Sequence, residues 1–68
     1  ITFSNDNVSG VLGHVLSVLA DRNVNVVDMV NKSRADLAYN IIDVEGKPSD
    51  EVVAAIAAVE HVIRVRVI

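Results

Sequence analysis

The chain has 68 residues, enough for one domain, and no cysteine, which excludes disulfides and thiolate metal sites. Its net charge of −3, its scattered basic residues and its two aromatic side chains argue against nucleic-acid binding. The longest apolar run, Val52–Val59, is far shorter than the roughly 20 residues that span a bilayer. We therefore expect a single cytoplasmic domain with no membrane segment.

The hydrophobic content of 51% is high for so short a chain. A small domain buries only about 60% of the surface that its unfolded chain exposes. A strand pattern is already present at Ile1, and no Met precedes that residue. We expect residues 1–68 to be one piece of a longer protein, with part of its apolar surface covered by another subunit or domain.

The first half of the chain predicts a strand, a loop and a helix. Ile1–Ser4 alternates apolar and polar residues, as a half-buried strand does. Asn5–Ser9 is polar and turn-prone, which indicates a loop. Gly10–Arg22 carries one apolar stripe at helical spacing and is the first predicted helix.

Two further strands follow. Val24–Val30 is rich in β-branched residues, which favour strands. Asn31–Asp36 is polar and is predicted as the hairpin connection. Leu37–Val44 alternates again and is the third strand, and Glu45–Pro48 ends it.

The last part of the chain predicts a second helix and a fourth strand. Alanines and an apolar stripe indicate a helix that ends at His61. Val62–Ile68 is the fourth strand, with one face formed by Ile63, Val65 and Val67. Arg64 and Arg66 lie on its other face, and we expect them to be solvated.

Capping residues mark both helix starts. Ser9 or Asn7 is expected to cap the first helix through a side-chain oxygen, and Ser49 the second. Asn23 is expected to take the left-handed conformation that is common after a helix.

The predicted order β-α-β-β-α-β is that of a ferredoxin-like α+β sandwich. Right-handed crossovers interleave the two halves into a four-stranded antiparallel sheet of order 4-1-3-2. Both helices then lie on one face. The fold alone specifies no activity, because it hosts many unrelated ones.

The residues offer no recognisable catalytic or metal-binding pattern. His14 and His61 have no nucleophile or carboxylate at a useful spacing, and we interpret both as partly exposed helix residues. The aspartates likewise show no ligand spacing. We expect neither a catalytic site nor a metal site in these residues.

The first loop has the best polar groups for a small ligand. Asn5, Asp6 and Asn7 lie beside the start of a helix, where free N–H groups attract an anion such as an α-carboxylate. Gly10 lets a backbone or a ligand approach closely there. On these residues alone, capping a helix and shaping a turn is the simpler interpretation.

Three segments of the chain resemble the ACT domain family: Asn5–Leu12, Asn23–Val26 and Ala38–Glu45. The helix start Gly10–Leu12 and the asparagine spacing are shared by many ACT domains. The strand Tyr39–Glu45 and the Arg-x-Arg ending at residues 64–66 are more specifically similar to the C-terminal regulatory domains of D-3-phosphoglycerate dehydrogenases. The resemblance implies a regulatory domain that binds L-serine and controls an NAD-dependent active site elsewhere in the parent enzyme. It implies no cofactor in the domain itself.

The resemblance also implies the ligand-binding residues. Asn7 matches the loop asparagine of the family and Asn25 the asparagine at the start of the second strand, while Asn5 stands where well-studied bacterial members carry a histidine. We expect Asn7 and Asn25 to be the main side-chain ligands and Asn5 to assist them. Backbone N–H groups from Val8 through Gly10 to Val11 are expected to hold the carboxylate.

Asn7 and Asn25 flank opposite ends of a helix about 20 Å long, so they cannot reach one small ligand within a single subunit. The second strand lies at the edge of the predicted sheet. Twofold pairing of two such edges forms a homodimer and brings Asn25 of one subunit towards Asn7 of the other. Two alternatives stay open: an ACT domain of another protein that senses a different amino acid, and an oligomerisation module without a ligand.

Overall fold

The computed structural model describes residues 1–68 as six elements in the order β-α-β-β-α-β. Their bounds are β1 Thr2–Asp6, α1 Val11–Asp21, β2 Val26–Arg34, β3 Leu37–Val44, α2 Asp50–Ala57 and β4 Val62–Arg66. The four strands form one antiparallel sheet of order β2-β3-β1-β4. This is the predicted order 4-1-3-2 counted from the other edge, so the ferredoxin-like fold is confirmed. Neither helix has the length and apolar character that a bilayer-crossing segment needs.

The core lies between one face of the sheet and both helices. In β3 the inward side chains alternate strictly with the outward ones, and Ala38, Asn40 and Ile42 are buried. In α1 the buried residues fall at four-residue spacing, which places them on one side of the helix. The central cluster consists of Phe3, Val15, Leu19, Ile42, Val52, Ile56 and Val59.

The first loop and the hairpin connection both begin later in the chain than predicted, whereas their predicted ends lie within one residue of the observed ones. β1 continues through Asn5 and Asp6, because both residues pair with β3. β2 continues through Arg34, so the connection consists only of Ala35 and Asp36, with Ala35 at φ 54°. The polar residues 31–34 belong to a ribbon that is exposed on both faces, where the alternation that signals a strand is absent.

The predicted end of the second helix is also wrong. α2 ends at Ala57, and Ala58 caps it through an N–H that donates to the carbonyl of Ala54. His61 lies beyond the helix in a turn at φ 74°. The turn keeps Val59 in the core although that residue has left the helix.

The sequence predicts Ile63 and Val65 on the same face of the fourth strand, but only Val65 packs against the core. The register between β1 and β4 shifts between Ser4 and Asn5, so Ile63 has no partner on β1 and is 59% exposed. Val62 and Val65 pack against the core instead. The strand ends at Arg66 and not at Ile68.

Two of the three predicted capping features are confirmed. Ser49 accepts a hydrogen bond at 3.2 Å on Oγ from the N–H of Val52, and Asn23 has a φ of 58°. The first helix, however, begins after Gly10, whose φ is 91°, and no side chain caps it. The expected cap from Asn7 or Ser9 is therefore wrong, and it leaves the first turn of α1 open.

Candidate functional site

The β1–α1 loop, residues 7–10, is fastened to the tip of the β2–β3 hairpin by Asn7. The backbone N–H of Asn7 donates to the carbonyl of Asp36 at 2.8 Å, and its side-chain Nδ2 donates to the carbonyl of Ala35 at 2.9 Å. The side-chain oxygen Oδ1 takes part in no hydrogen bond within the chain. Asn7 is therefore held in place by its donors and presents a free acceptor.

The first turn of α1 carries unused backbone donors. The first N–H to bond back into the helix start is that of His14, which donates to the carbonyl of Gly10 at 3.0 Å. The N–H groups of Gly10, Val11 and Leu12 have no partner within the chain. Val8 differs, because its N–H already donates to the carbonyl of Asp6 at 2.8 Å. An anion at this helix start can accept hydrogen bonds from the free groups.

Gly10 has the backbone conformation and the space that a close approach needs. Its φ is 91°, in the region that glycine adopts without strain. A Cβ at this position would meet no atom within 4 Å. The surface beside Gly10 is therefore open to a ligand.

A cleft of about 260 Å³ opens beside the loop, lined by Ser9, Gly10, Val11, His14, Glu60 and His61. The α2–β4 turn forms its far wall because the N–H of Asp6 donates to the carbonyl of His61 at 2.9 Å. The His61 ring places Nδ1 3.4 Å from Asp6 Oδ2 and Nε2 3.8 Å from Glu60 Oε1. No three histidine, aspartate or glutamate residues of the chain form a cluster that could hold a metal ion.

Sequence reasoning missed the His14, Glu60 and His61 side of this cleft. His14 lies seven positions after Asn7, and its place at the cleft follows from the start of α1 at Val11. Glu60 and His61 reach the first loop only because β4 pairs with β1, which brings residues more than fifty positions apart together. The one available signal was the predicted strand order, which already placed β4 beside β1.

Asn5 lies beneath the loop and not in it. Its side chain points to the helix side of the sheet and is only 4% exposed. Asn31 Nδ2 donates to Asn40 Oδ1, Asn40 Nδ2 donates to Asn5 Oδ1 at 2.7 Å, and Asn5 Nδ2 donates to the carbonyl of Asp6 at 2.8 Å. This row of amides runs from the edge strand to the carbonyl that also holds Val8.

Asn25 lies at the other end of the molecule, as expected from its place after α1. Its side chain is exposed and donates from Nδ2 to Glu45 Oε2 at 2.9 Å, while its carbonyl accepts from the N–H of Glu45 at 2.9 Å. The eleven residues of α1 separate it from Asn7 by about 17 Å. One chain alone therefore does not bring Asn7 and Asn25 together.

β2 lies at an edge of the sheet, as predicted, and eight of its nine residues are exposed. Val27, Met29 and Val30 are large apolar side chains among them. An edge of this length presents unpaired backbone groups beside an apolar surface, which are the groups that pair with another strand.

Comparison with known proteins identifies one family. The family model described as ACT domain matches residues 1–61, from the residue before β1 to the turn before β4. No curated protein matches the chain. The match covers the first loop, both helices and the edge strand described above.

Proposed function

We propose that this chain, which belongs to the ACT domain family of small-ligand-binding regulatory modules, senses L-serine. The observation that carries the proposal is the free Oδ1 of Asn7 beside the unused N–H groups at the first turn of α1. An α-amino acid has one carboxylate and one ammonium group a short distance apart. A helix start suits the carboxylate and an amide oxygen suits the ammonium or a hydroxyl.

The roles of the loop residues follow from which groups are still unused. The N–H groups of Gly10 and Val11 hold the carboxylate, since the N–H of Val8 is already donated to Asp6. Val8 borders the site with its half-exposed side chain. Asn5 assists from beneath by fixing the carbonyl of Asp6, which in turn fixes the loop.

The second part of the proposed site comes from another copy of the chain. Twofold antiparallel pairing of the β2 edges brings Asn25 of a second copy towards Asn7, and the exposed apolar side chains of β2 support such pairing. The hydrogen bond from Asn25 to Glu45 already orients the amide. Serine then bridges two subunits and stabilises the dimer geometry that it fits.

The proposed parent is a D-3-phosphoglycerate dehydrogenase, with NAD bound in a catalytic region outside these residues. The strand Tyr39–Glu45 and the Arg-x-Arg ending at residues 64–66 are the sequence features that support this narrower assignment. In that setting L-serine is the end product of the pathway, and its binding at the dimer is a feedback signal.

Isothermal titration calorimetry with L-serine tests the proposal, with D-serine and the other amino acids as controls. We expect saturable heat with L-serine at up to millimolar concentration, together with a rise in melting temperature because the ligand binds only the folded state. Heat with a different amino acid would assign the chain to another sensor of the family. Absence of heat and of any thermal shift with all twenty amino acids would leave an oligomerisation role.

The cross-subunit geometry has its own test. Asn25→Ala is expected to weaken serine binding about tenfold or more, because a hydrogen bond to a charged group is lost. Asn23→Gly is the matched control, since it removes a nearby amide but keeps the left-handed backbone. Unchanged affinity in Asn25→Ala would refute the contribution of a second copy.

A further inference from the structure

The outer face of the sheet, on the side without helices, carries four of the six basic residues of the chain. Lys32 and Arg34 lie on β2, and Arg64 and Arg66 on β4. The register of the strands places Arg64 opposite Ser4, Ser4 opposite Tyr39, and Tyr39 opposite Lys32. The register also places Asp6, Asp28 and Asp43 on this face, so its basic residues outnumber its acidic ones by one on a chain whose net charge is −3.

The two arginines border a cleft of about 250 Å³ lined by Thr2, Phe3, Ser4, Tyr39, Arg64 and Arg66. Neither guanidinium forms an ion pair, since the ion pairs of the chain involve only Arg22 and His61. Charged residues on a sheet are stabilised by opposite charges on the neighbouring strand. Here β1 places Thr2 and Ser4 opposite the arginines, so their charge is not neutralised.

The cleft also contains three hydroxyl groups, those of Thr2, Ser4 and Tyr39. No hydrogen bond within the chain occupies any of them. A hydroxyl that faces a cleft can donate to an anionic oxygen and rotates to suit it. Two positive charges and three available donors thus converge on one space.

We propose that this cleft binds a phosphoryl dianion, with Arg64 and Arg66 as its two cations and the hydroxyls as further donors. Residues two apart on a strand are separated by about 7 Å, so an anion between the guanidiniums meets one from each side. A tetrahedral phosphate has oxygens for both, whereas a carboxylate satisfies its two oxygens with a single arginine.

No carboxylate lines the cleft. Asp6, the nearest carboxylate along β1, lies against the His61 ring. Asp28 and Asp43 are opposite each other on β2 and β3, and β1 lies between β3 and the arginine strand. A second cleft, of about 370 Å³, shares Tyr39 and adds Lys32 and Arg34 on its other side. The positive charge therefore extends across the sheet.

This site is independent of the amino-acid site proposed above. The arginines lie on β4 and project from the outer face, whereas the loop around Asn7 lies at the start of α1. Pairing of β2 edges leaves the outer face free. Either proposal can fail without the other.

Titration of the ¹⁵N-labelled chain followed by NMR tests the phosphate site. At about pH 8, where phosphate is a dianion, and at constant ionic strength, we expect saturable shifts at Ser4, Tyr39 and both arginine side chains. Inorganic phosphate and glycerol phosphate are the two phosphoryl probes. The ratio of their affinities shows whether the cleft prefers the free ion or a phosphate ester. Acetate is expected to bind at least tenfold more weakly, about the loss of one charged hydrogen bond.

Variants separate a specific site from general attraction. Arg64→Gln and Arg66→Gln are each expected to weaken binding about tenfold, and the double variant to abolish it. Lys47→Gln makes the same charge change at an exposed residue that does not line the cleft, and this variant is expected to bind phosphate as the parent does. Linear, non-saturating shifts, acetate binding as tight as phosphate, or equal loss in Lys47→Gln would overturn the proposal.

Discussion

Asn40 donates a hydrogen bond of 2.7 Å to Asn5 across β3 and β1, and neither side chain is accessible enough to bond water instead. The pair lies on the helix side of the sheet, where apolar residues fill the neighbouring positions. A buried amide of this kind is stable only while its partners are present, because an unpaired buried polar group keeps its desolvation cost.

Replacing one of the two amides should therefore cost more stability than replacing both. Asn40→Leu leaves Asn5 Oδ1 buried without a donor, and we expect a loss of about 1–3 kcal/mol in the free energy of unfolding. In the double variant Asn5→Leu/Asn40→Leu both partners are apolar, and part of that stability should return. Urea denaturation measures each value, and a double variant no more stable than Asn40→Leu would contradict the pairing.

Alanine substitutions at Gly10 and Gly13 should change the stability of the domain in opposite directions. Gly10→Ala places a Cβ at φ 91°, so its cost comes from the backbone alone and is expected to be about 1–2 kcal/mol. Gly13→Ala lies inside α1, where the space is also open, and should raise stability by about 0.5–1 kcal/mol. Thermal unfolding distinguishes them, since 1 kcal/mol corresponds to about 4–8 °C in a domain of this size. Equal shifts in the two variants would argue against the left-handed start of α1.

Alanine substitutions of the two serines near the helix starts should also differ in their effect on stability. Ser49→Ala removes the oxygen that accepts from Val52, and we expect a loss of about 1 kcal/mol. Ser9→Ala should leave the melting temperature nearly unchanged, because the side chain of Ser9 caps nothing. A clear loss in Ser9→Ala would show that α1 has a side-chain cap in solution.

Asn7→Ala should separate binding from folding. The change removes both the tie to Ala35 and the free Oδ1, so the proposed serine affinity is expected to fall about tenfold or more. The loss of one exposed hydrogen bond should lower stability by about 1 kcal/mol or less. Calorimetry with L-serine gives the affinity and urea denaturation the stability. A large loss of stability with unchanged affinity would contradict the role of Asn7 as a ligand.

The sequence predicts the elements of this protein well where burial imposes a period. Leu37–Val44 alternates because one of its faces lies on the core, and the strand has the bounds that this alternation predicts. Residues 31–34 have no buried face, so nothing local distinguishes a strand from a turn there. The exposure of Ile63 depends on a register shift in the partner strand, which no local pattern contains.

The candidate site was predictable to a similar degree. Residue type and place before a helix make Asn7 and Gly10 candidates, and the structure places both beside the open start of α1. The burial of Asn5 was missed because β1 extends two residues further than its apolar alternation indicates, which turns that side chain inward. Glu60 and His61 reach the loop through long-range strand pairing, which residue spacing does not express.

The attachment of Asn7 to Ala35 and Asp36 has a mechanical consequence. The first loop and the tip of the hairpin are joined by two hydrogen bonds, so a movement of one segment is transmitted to the other. β2 leads directly into that tip, and it forms a free edge of the sheet. A molecule that immobilises Asn7 should therefore slow the opening of the hairpin tip. The measurable consequence is slower amide hydrogen exchange along β2.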